Sequence, residues 1–263
     1  MIQIVVGLGE NENVKFAMNK ANKINGLNIK LVESPDELLS ALKDKEIDAV
    51  IRGSLKSSKI MKGIKLSYEN NINKVNRATY IKEKIGNDNF EFLLSPVGID
   101  EGRTIQEKVG IAIQSVDFVK SLGKTPKIAV LASGREDDYG RSDYIDKSLD
   151  DSKIIVDKIK EILDVDSNER HDYKYNIKNY YILIEEAIKD KNNIIIPPDG
   201  IIGNILFRTL VLLNSWSSYG AVTLGLEKIF IDTSRDQSID GYYRAIEFAF
   251  NLAKIKKTET KVS

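Results

Sequence analysis

Residues 2–23, IQIVVGLGENENVKFAMNKANK, set the terms on which the rest of the chain is read. A short β-branched run from Ile2 to Val6 stops at Gly7, and the segment behind it places Val14, Phe16, Ala17 and Ala21, then Ile24, at helical spacing. That pattern is strand, glycine turn, helix. The alternation continues with LNIKLVE (27–33) as a strand and SPDELLSALKDK (34–45) as a helix. Ser34 is its N-cap, with Pro35 at the first helical position and Glu37 at the third. IDAVIRG (47–53) is the next strand, and RATYIKEKI and FEFLLSPVG are further apolar segments.

Beyond Thr104, Val109, Ile113, Val116, Val119 and Leu122 line one face of a helix that Gly123 closes. KIAVLAS (127–133) is a wholly apolar strand feeding a charged loop, and a helix is expected from Ser152 to Leu163. A polar, tyrosine-rich stretch from Asn168 to Tyr181 precedes the helix ILIEEAIKD. The strands NIIIPP and KIFIDTS bracket a helix NILFRTLVLLNS, and GYYRAIEFAFNLAK is a last helix before a lysine-rich tail expected to fray. Apolar strands alternating with helices predict an α/β fold with a mainly parallel sheet.

Composition narrows the function. Across 263 residues there are 39 basic and 39 acidic side chains, no cysteine and one histidine. No cysteine means no disulfide framework, thiolate zinc site, iron–sulfur cluster or cysteine nucleophile. A single histidine, His171, removes multi-histidine metal sites; it lies in the polar run NERHDYKY and reads as a surface residue. A formal charge of zero argues against a dedicated nucleic-acid binder. No apolar run is long enough to span a bilayer, and MIQIVVGLGE lacks the basic start of a secretory signal. The expectation is a soluble, cytoplasmic protein.

In parallel α/β sheets ligands bind beyond the carboxyl ends of strands, so the loops there are the places to search. Gly7-Leu8-Gly9 begins like a dinucleotide fingerprint, but Glu12 falls where the third glycine belongs, which leaves a plain strand-to-helix turn. Arg52-Gly53-Ser54, with Ser57 and Ser58 behind it, offers a guanidinium, hydroxyls and a permissive glycine to an anion. Its alternative is a solvated turn capping the next helix. Arg135 and Arg141 flank Glu136, Asp137 and Asp138, a loop that can bind an anion or neutralise itself.

PPDGIIGN (197–204) opens a helix, with Asn204 expected at the N-cap and Asp199 and Gly203 beside it; a helix start here would suit an anion. Asp232-Thr233-Ser234-Arg235-Asp236 through Asp240 supplies hydroxyls, a guanidinium and carboxylates within nine residues. Trp216-Ser217-Ser218-Tyr219-Gly220 either shapes a pocket wall or seats an aromatic in the core. The tyrosines at 173, 175, 180 and 181 read as packing or interface residues.

Taken in order, these segments resemble a known family. PPDGIIGNILFRTLVLL, then AVTLG (221–225), then a strand ending Ile231-Asp232-Thr233-Ser234-Arg235, resembles the corresponding elements of phosphate acetyl- and butyryltransferases. SPVGIDEGRTIQEKVGIAIQSVDFVKSLGKTPKIAVLAS resembles their central helix and following strand, so the likeness runs from about residue 45 to 250. Within that superfamily the chain is most similar to the methanogenesis marker protein 4, or MtxX, group.

The resemblance implies a two-domain α/β/α fold of the isocitrate/isopropylmalate dehydrogenase and phosphotransacetylase type with an interdomain cleft. The expected borders are residues 1–104 plus 229–263 for one domain and 105–228 for the other. It also implies a homodimer, a methanogen setting, an association with methyltransferase subunits, and coenzyme A or a related thiol coenzyme as a substrate. It departs from the enzymes in one register: where they carry an acid after the serine-arginine pair, this chain has Gly241, with Asp240 one residue early, an offset of about 100° on a helix. Arg77-Ala78 likewise stand where the enzymes tend to have serines.

The leading expectation is therefore a group transferase that holds a phosphate, acyl phosphate or coenzyme. Arg235 and Arg52 would bind the anion, amides near Gly203 and Asn204 would hold an oxyanion, Ser234 would orient substrate, and Asp240 or Asp236 would act as base. Two alternatives stand beside it: a non-catalytic accessory subunit of a methyltransferase system, and a true coenzyme A-dependent phosphate acyltransferase. Methyl transfer by the chain itself lacks a thiol-activating, corrinoid or adenosylmethionine motif, and a dehydrogenase lacks a metal-binding aspartate cluster.

Overall fold

The computed structural model describes residues 1–68, 75–85, 88–167 and 175–262; His171 and Tyr173 lie outside them. In chain order the elements begin β1 (Ile2–Gly7), α1 (Asn13–Ala21), β2 (Leu27–Val32), α2 (Pro35–Lys43), β3 (Ala49–Ile51) and α3 (Ser57–Tyr68). They continue through β4 (Asn76–Ile85), β5 (Asp88–Leu94), α4 (Ile105–Ser121), β6 (Lys127–Leu131), α5 (Asp143–Ser167), β7 (Asn176–Tyr181) and α6 (Ile184–Lys189). The last are β8 (Ile194–Ile196), α7 (Gly200–Phe207), a π-helical turn Arg208–Leu213, β9 (Ser217–Leu224), β10 (Ile229–Asp232) and α8 (Ile239–Val262).

The chain divides into two compact units: Met1–Tyr80 with Ser217–Ser263, and Ile81–Trp216. The sequence reading drew its borders instead at 104/105 and 228/229, where a helix start and a strand start are visible. Pairing explains the difference. β5 lies parallel to β8, which draws residues 88–104 into the second unit, and β9 runs antiparallel to β10, which places 217–224 in the first.

In the first unit the strands run β2-β1-β3-β10-β9, parallel except for the last pair. In the second they run β5-β8-β6-β7, all parallel. The inner strands β3 (AVI) and β8 (III) are buried at every residue, as strands covered on both faces must be. The edge strands β2 and β7 alternate between buried or half-buried and exposed positions. That alternation hides β7 in the sequence, where its polar, tyrosine-rich composition reads as a connection.

Several local signals act as expected. Ser34 accepts from the Glu37 amide while Glu37 bonds back, a complete capping box on α2. Four corrections follow from contacts the sequence does not display. α5 begins at Asp143, nine residues before the expected Ser152. Residues 217–224 form β9, where the sequence offers only a pocket wall or core aromatic at 216–220 and a glycine-containing segment at 221–225. The tail does not fray early, since α8 continues to Val262. The helix after β8 is capped by Asp199 rather than Asn204, with the Asp199 carboxylate accepting from the Ile202 amide at 2.8 Å.

Candidate functional site

Because β1, β3 and β10 are parallel neighbours, the loops after them meet at one edge of the first unit's sheet. They are stitched together by side chains. The Gly9 amide donates to Ser54 Oγ at 2.8 Å, and that hydroxyl donates to the Asn11 carbonyl at 3.2 Å. Asn11 Nδ2 donates to the carbonyls of Arg235 (3.1 Å) and Gln237 (3.2 Å), and Asn13 Nδ2 reaches Gln237 as well. Thr233 Oγ1 donates to the Gly53 carbonyl at 2.8 Å. From α8, the buried Tyr242 hydroxyl bonds the carbonyls of Ser234 (3.0 Å) and Arg235 (2.7 Å); burial pushes its pKa up to about 12.

The glycines of these loops are spacers. Gly53 adopts φ +61°, and a Cβ there would sit 1.7 Å from the Gly7 carbonyl oxygen. Side chains of the first loop therefore yield to backbone packing, which agrees with a plain turn at Gly7-Leu8-Gly9.

Arg52 is where the structure departs most from an anion-binding arginine. Its side chain turns inward, and the residue is 7 % exposed. Nε pairs with Asp232, Nη2 donates to the Thr233 carbonyl and Nη1 to the Leu55 carbonyl. Arg77 Nη1 approaches the other oxygen of Asp232 at 3.4 Å. Arg52 thus ties the β3 loop to the end of β10, and Gly53 and Ser54 serve the same junction.

Arg235 is different: its backbone is held by Tyr242 and Asn11 while its side chain is exposed. With Glu10, Asn11, Glu12, Asn13 and Asp236 it lines an open hollow of about 610 Å³. Glu12 is paired with Lys15 at 2.8 Å and Glu10 lies 3.9 Å from Lys56, so two of the three rim carboxylates face cations in a solvated, screened setting.

Asp240 stands apart from the hollow's lining. Its side chain is 68 % exposed and accepts from Lys20 of α1 at 2.9 Å. That hydrogen bond, reinforced by the Lys20 charge, holds its carboxyl below the usual carboxylate range. An ionised, paired carboxylate of lowered pKa is a weak proton acceptor. At the neighbouring register a Cβ on Gly241 would lie 2.3 Å from Cδ of the buried Gln237, so an acid at 241 would have to displace that side chain.

In the second unit the PPDGIIGN segment is a packing device. A Cβ on Gly200 would meet the Gly98 carbonyl oxygen at 1.7 Å, and one on Gly203 the Pro96 carbonyl oxygen at 1.9 Å. The Gly200 amide donates to the Glu101 carbonyl, and the Gly203 amide to the Asp199 carbonyl. Asn204 lies inside α7 and donates to the Val97 carbonyl at 3.0 Å. The Gly203 amide, one of those expected to hold an oxyanion, is already hydrogen-bonded within the helix. The charged loop after β6 closes on itself: Asp138 accepts from the Arg135 amide at 2.8 Å and pairs with Arg141 at 3.1 Å.

One residue that sequence reasoning passed over is Lys108 of α4, a lysine on the buried face of its helix. Its signal was a break in the apolar stripe of an otherwise regular helix. Among the described residues no group of three or more metal-ligating side chains is gathered, and no helix is long and apolar enough to cross a membrane.

Comparison with known proteins bears on these findings. The model of the phosphate acetyl/butaryl transferase family matches residues 39–249. A Methanocaldococcus jannaschii protein named as an uncharacterized methyltransferase is 37 % identical over 254 residues, covering 94 % of this chain and 97 % of its own. A Methanosarcina mazei protein with the provisional name methyltransferase mtx subunit X is 35 % identical over 239 residues, 90 % of this chain and 78 % of its own. Among solved structures, a branched-chain phosphotransacylase from Enterococcus faecalis superposes with a TM-score of 0.70 at 16 % identity, covering 96 % of this chain and 99 % of that one.

Proposed function

Because the chain belongs to the phosphate acetyl/butyryltransferase family, we propose that it binds a small oxyanion-bearing molecule at Arg235, in the manner of a group transferase. The observation that carries this reading is the fixing of the Arg235 backbone by Tyr242 and Asn11 beside an open hollow. A guanidinium on a fixed backbone offers a planar fork to a phosphate or carboxylate with only its side chain left to order. Ser234 would orient the bound group, and Asp236, which lines the hollow, is the carboxylate best placed to accept a proton. Arg52 acts as a positioning residue for the loops, not as a ligand group. Coenzyme A, an acyl phosphate or a related thiol coenzyme is the substrate class this reading favours, in a homodimer.

A second reading, a non-catalytic accessory or binding subunit, is favoured by one specific observation: the Asp240 carboxylate is engaged by Lys20. The provisional naming of the Methanosarcina mazei relative as a subunit agrees with it. One screen tests both. Coenzyme A, acetyl phosphate, coenzyme M and inorganic phosphate are measured for thermal stabilisation of wild type and Arg235→Ala. A smaller stabilisation in the variant than in wild type is expected, and an unchanged response sinks the Arg235 assignment. Turnover of a stabilising acyl phosphate and thiol pair favours the transferase, and binding without turnover favours the accessory subunit.

A further inference from the structure

Lys108 presents a donor set that the reading at Arg235 does not use. The residue is 7 % exposed, and its ammonium makes one hydrogen bond among the described residues, to the Pro198 carbonyl at 3.0 Å. The acids whose charges reach it are committed elsewhere. Asp199 caps α7 through the Ile202 amide, and both oxygens of Asp151 accept from Lys147, at 2.9 and 3.1 Å. An ammonium carries three donors, and buried donors are nearly always matched. Burial lowers the Lys108 pKa, with the Asp151 charge opposing that shift and Lys147 and Asp199 acting more weakly.

The surroundings are built to hold this group still. Pro198 stands in the loop directly after β8, on the carboxyl edge of the second unit's parallel strands, where α/β sheets place their ligands. That loop is fixed by Asp199, by the Gly200 amide on Glu101, and by the contact of Gly200 and Gly203 with the Pro96–Gly98 backbone. A rigid carbonyl therefore holds one N–H of Lys108, and two remain for a partner that the described residues do not supply.

We propose that Lys108 is a ligand group for an anionic oxygen, of a phosphate or a carboxylate, at a site in the second unit between α4 and the loop after β8. The chemistry follows from the donors: two N–H groups on a cationic nitrogen match an oxyanion, and the Pro198 carbonyl fixes their direction.

The test separates this site from Arg235. In an Arg235→Ala background, inorganic phosphate and acetate are titrated against thermal stability, with chloride at equal ionic strength as reference. One or both should still stabilise the protein. Adding Lys108→Met should weaken that binding by about tenfold or more, the size of a lost charge-assisted hydrogen bond, while Lys108→Arg keeps part of it. Phosphate alone responding identifies a phosphoryl ligand; acetate alone identifies a carboxylate. No response in Arg235→Ala, or an equal response with Lys108→Met added, overturns the proposal. If Lys108→Met does not fold, acylation of Lys108 in the wild type is followed by peptide mass spectrometry. Protection by phosphate or acetate is expected, and unchanged labelling overturns the proposal.

Discussion

The Tyr242 hydroxyl bonds the carbonyl oxygen of Arg235 at 2.7 Å, so the backbone that carries the hollow's exposed arginine is held by a buried phenol on a different element. Holding the backbone fixes where the side chain starts and removes that part of the ordering cost of binding. Removing the hydroxyl leaves the ring's packing intact. Tyr242→Phe should cost about 1 kcal/mol in urea unfolding and shrink any Arg235-dependent thermal stabilisation by phosphate. A variant that loses stability but keeps the full phosphate response would limit Tyr242 to a role in packing.

Arg52 and Asp232 join residues 180 apart in the sequence, both nearly buried. Arg52→Ala strands the Asp232 carboxylate with Arg77 and leaves the Leu55 and Thr233 carbonyls without their donor. Loss of about 3 kcal/mol is expected. Arg52→Lys should recover little, because an ammonium cannot reproduce the fork that meets three acceptors. Denaturant midpoints of the two variants check this.

Two helical glycines should respond in opposite senses to alanine. Gly203→Ala drives a Cβ to 1.9 Å from the Pro96 carbonyl oxygen and should destabilise by about 1–3 kcal/mol. Gly110, inside α4, has nothing within 4 Å of an added Cβ. Gly110→Ala should therefore raise stability by about 1 kcal/mol through helix propensity alone. Equal effects would remove the packing account of the PPDGIIGN segment.

The Asp240–Lys20 pair gives a signed pH prediction. The carboxyl pKa lies below its ordinary value in the folded chain, through the Lys20 hydrogen bond first and the Lys20 charge second. The pair's contribution is thus present above the unfolded carboxyl pKa and fades as pH falls through the lower folded one. The Lys20 pKa is raised from 10.5, so its share is present below that value and fades as pH rises through the folded one. In an NMR titration, Lys20→Met should move the Asp240 midpoint upward; an unmoved midpoint would detach Asp240 from Lys20 and reopen it as a base.

Asp199→Ala removes a side-chain cap on α7 and should cost about 1 kcal/mol, with Asp199→Ser retaining most of it. A matching loss in Asn204→Ala through its bond to Val97 is compatible with this; a cap at Asn204 is not.

What the sequence determined by itself was local. The period of apolar residues, the Ser34 capping box and the glycine stops fixed an α/β chain with parallel strands, because neighbours a few residues apart carry those signals. The ordered set of motifs also carried the family. β7 and β9 escaped because an edge strand can be polar and an antiparallel partner is chosen across the sheet. The tertiary structure alone decided which charged groups face water. Arg52 and Arg235 look alike in loops after strands, yet Asp232 and Thr233 draw one inward while Tyr242 and Asn11 hold the other at a hollow. Lys108 goes unremarked in the sequence, and its bond to the Pro198 carbonyl, ninety residues away, exists only in the folded chain. Burial and pairing are sums over contacts distant in sequence, so the chemistry of these side chains was set only when the chain closed on itself.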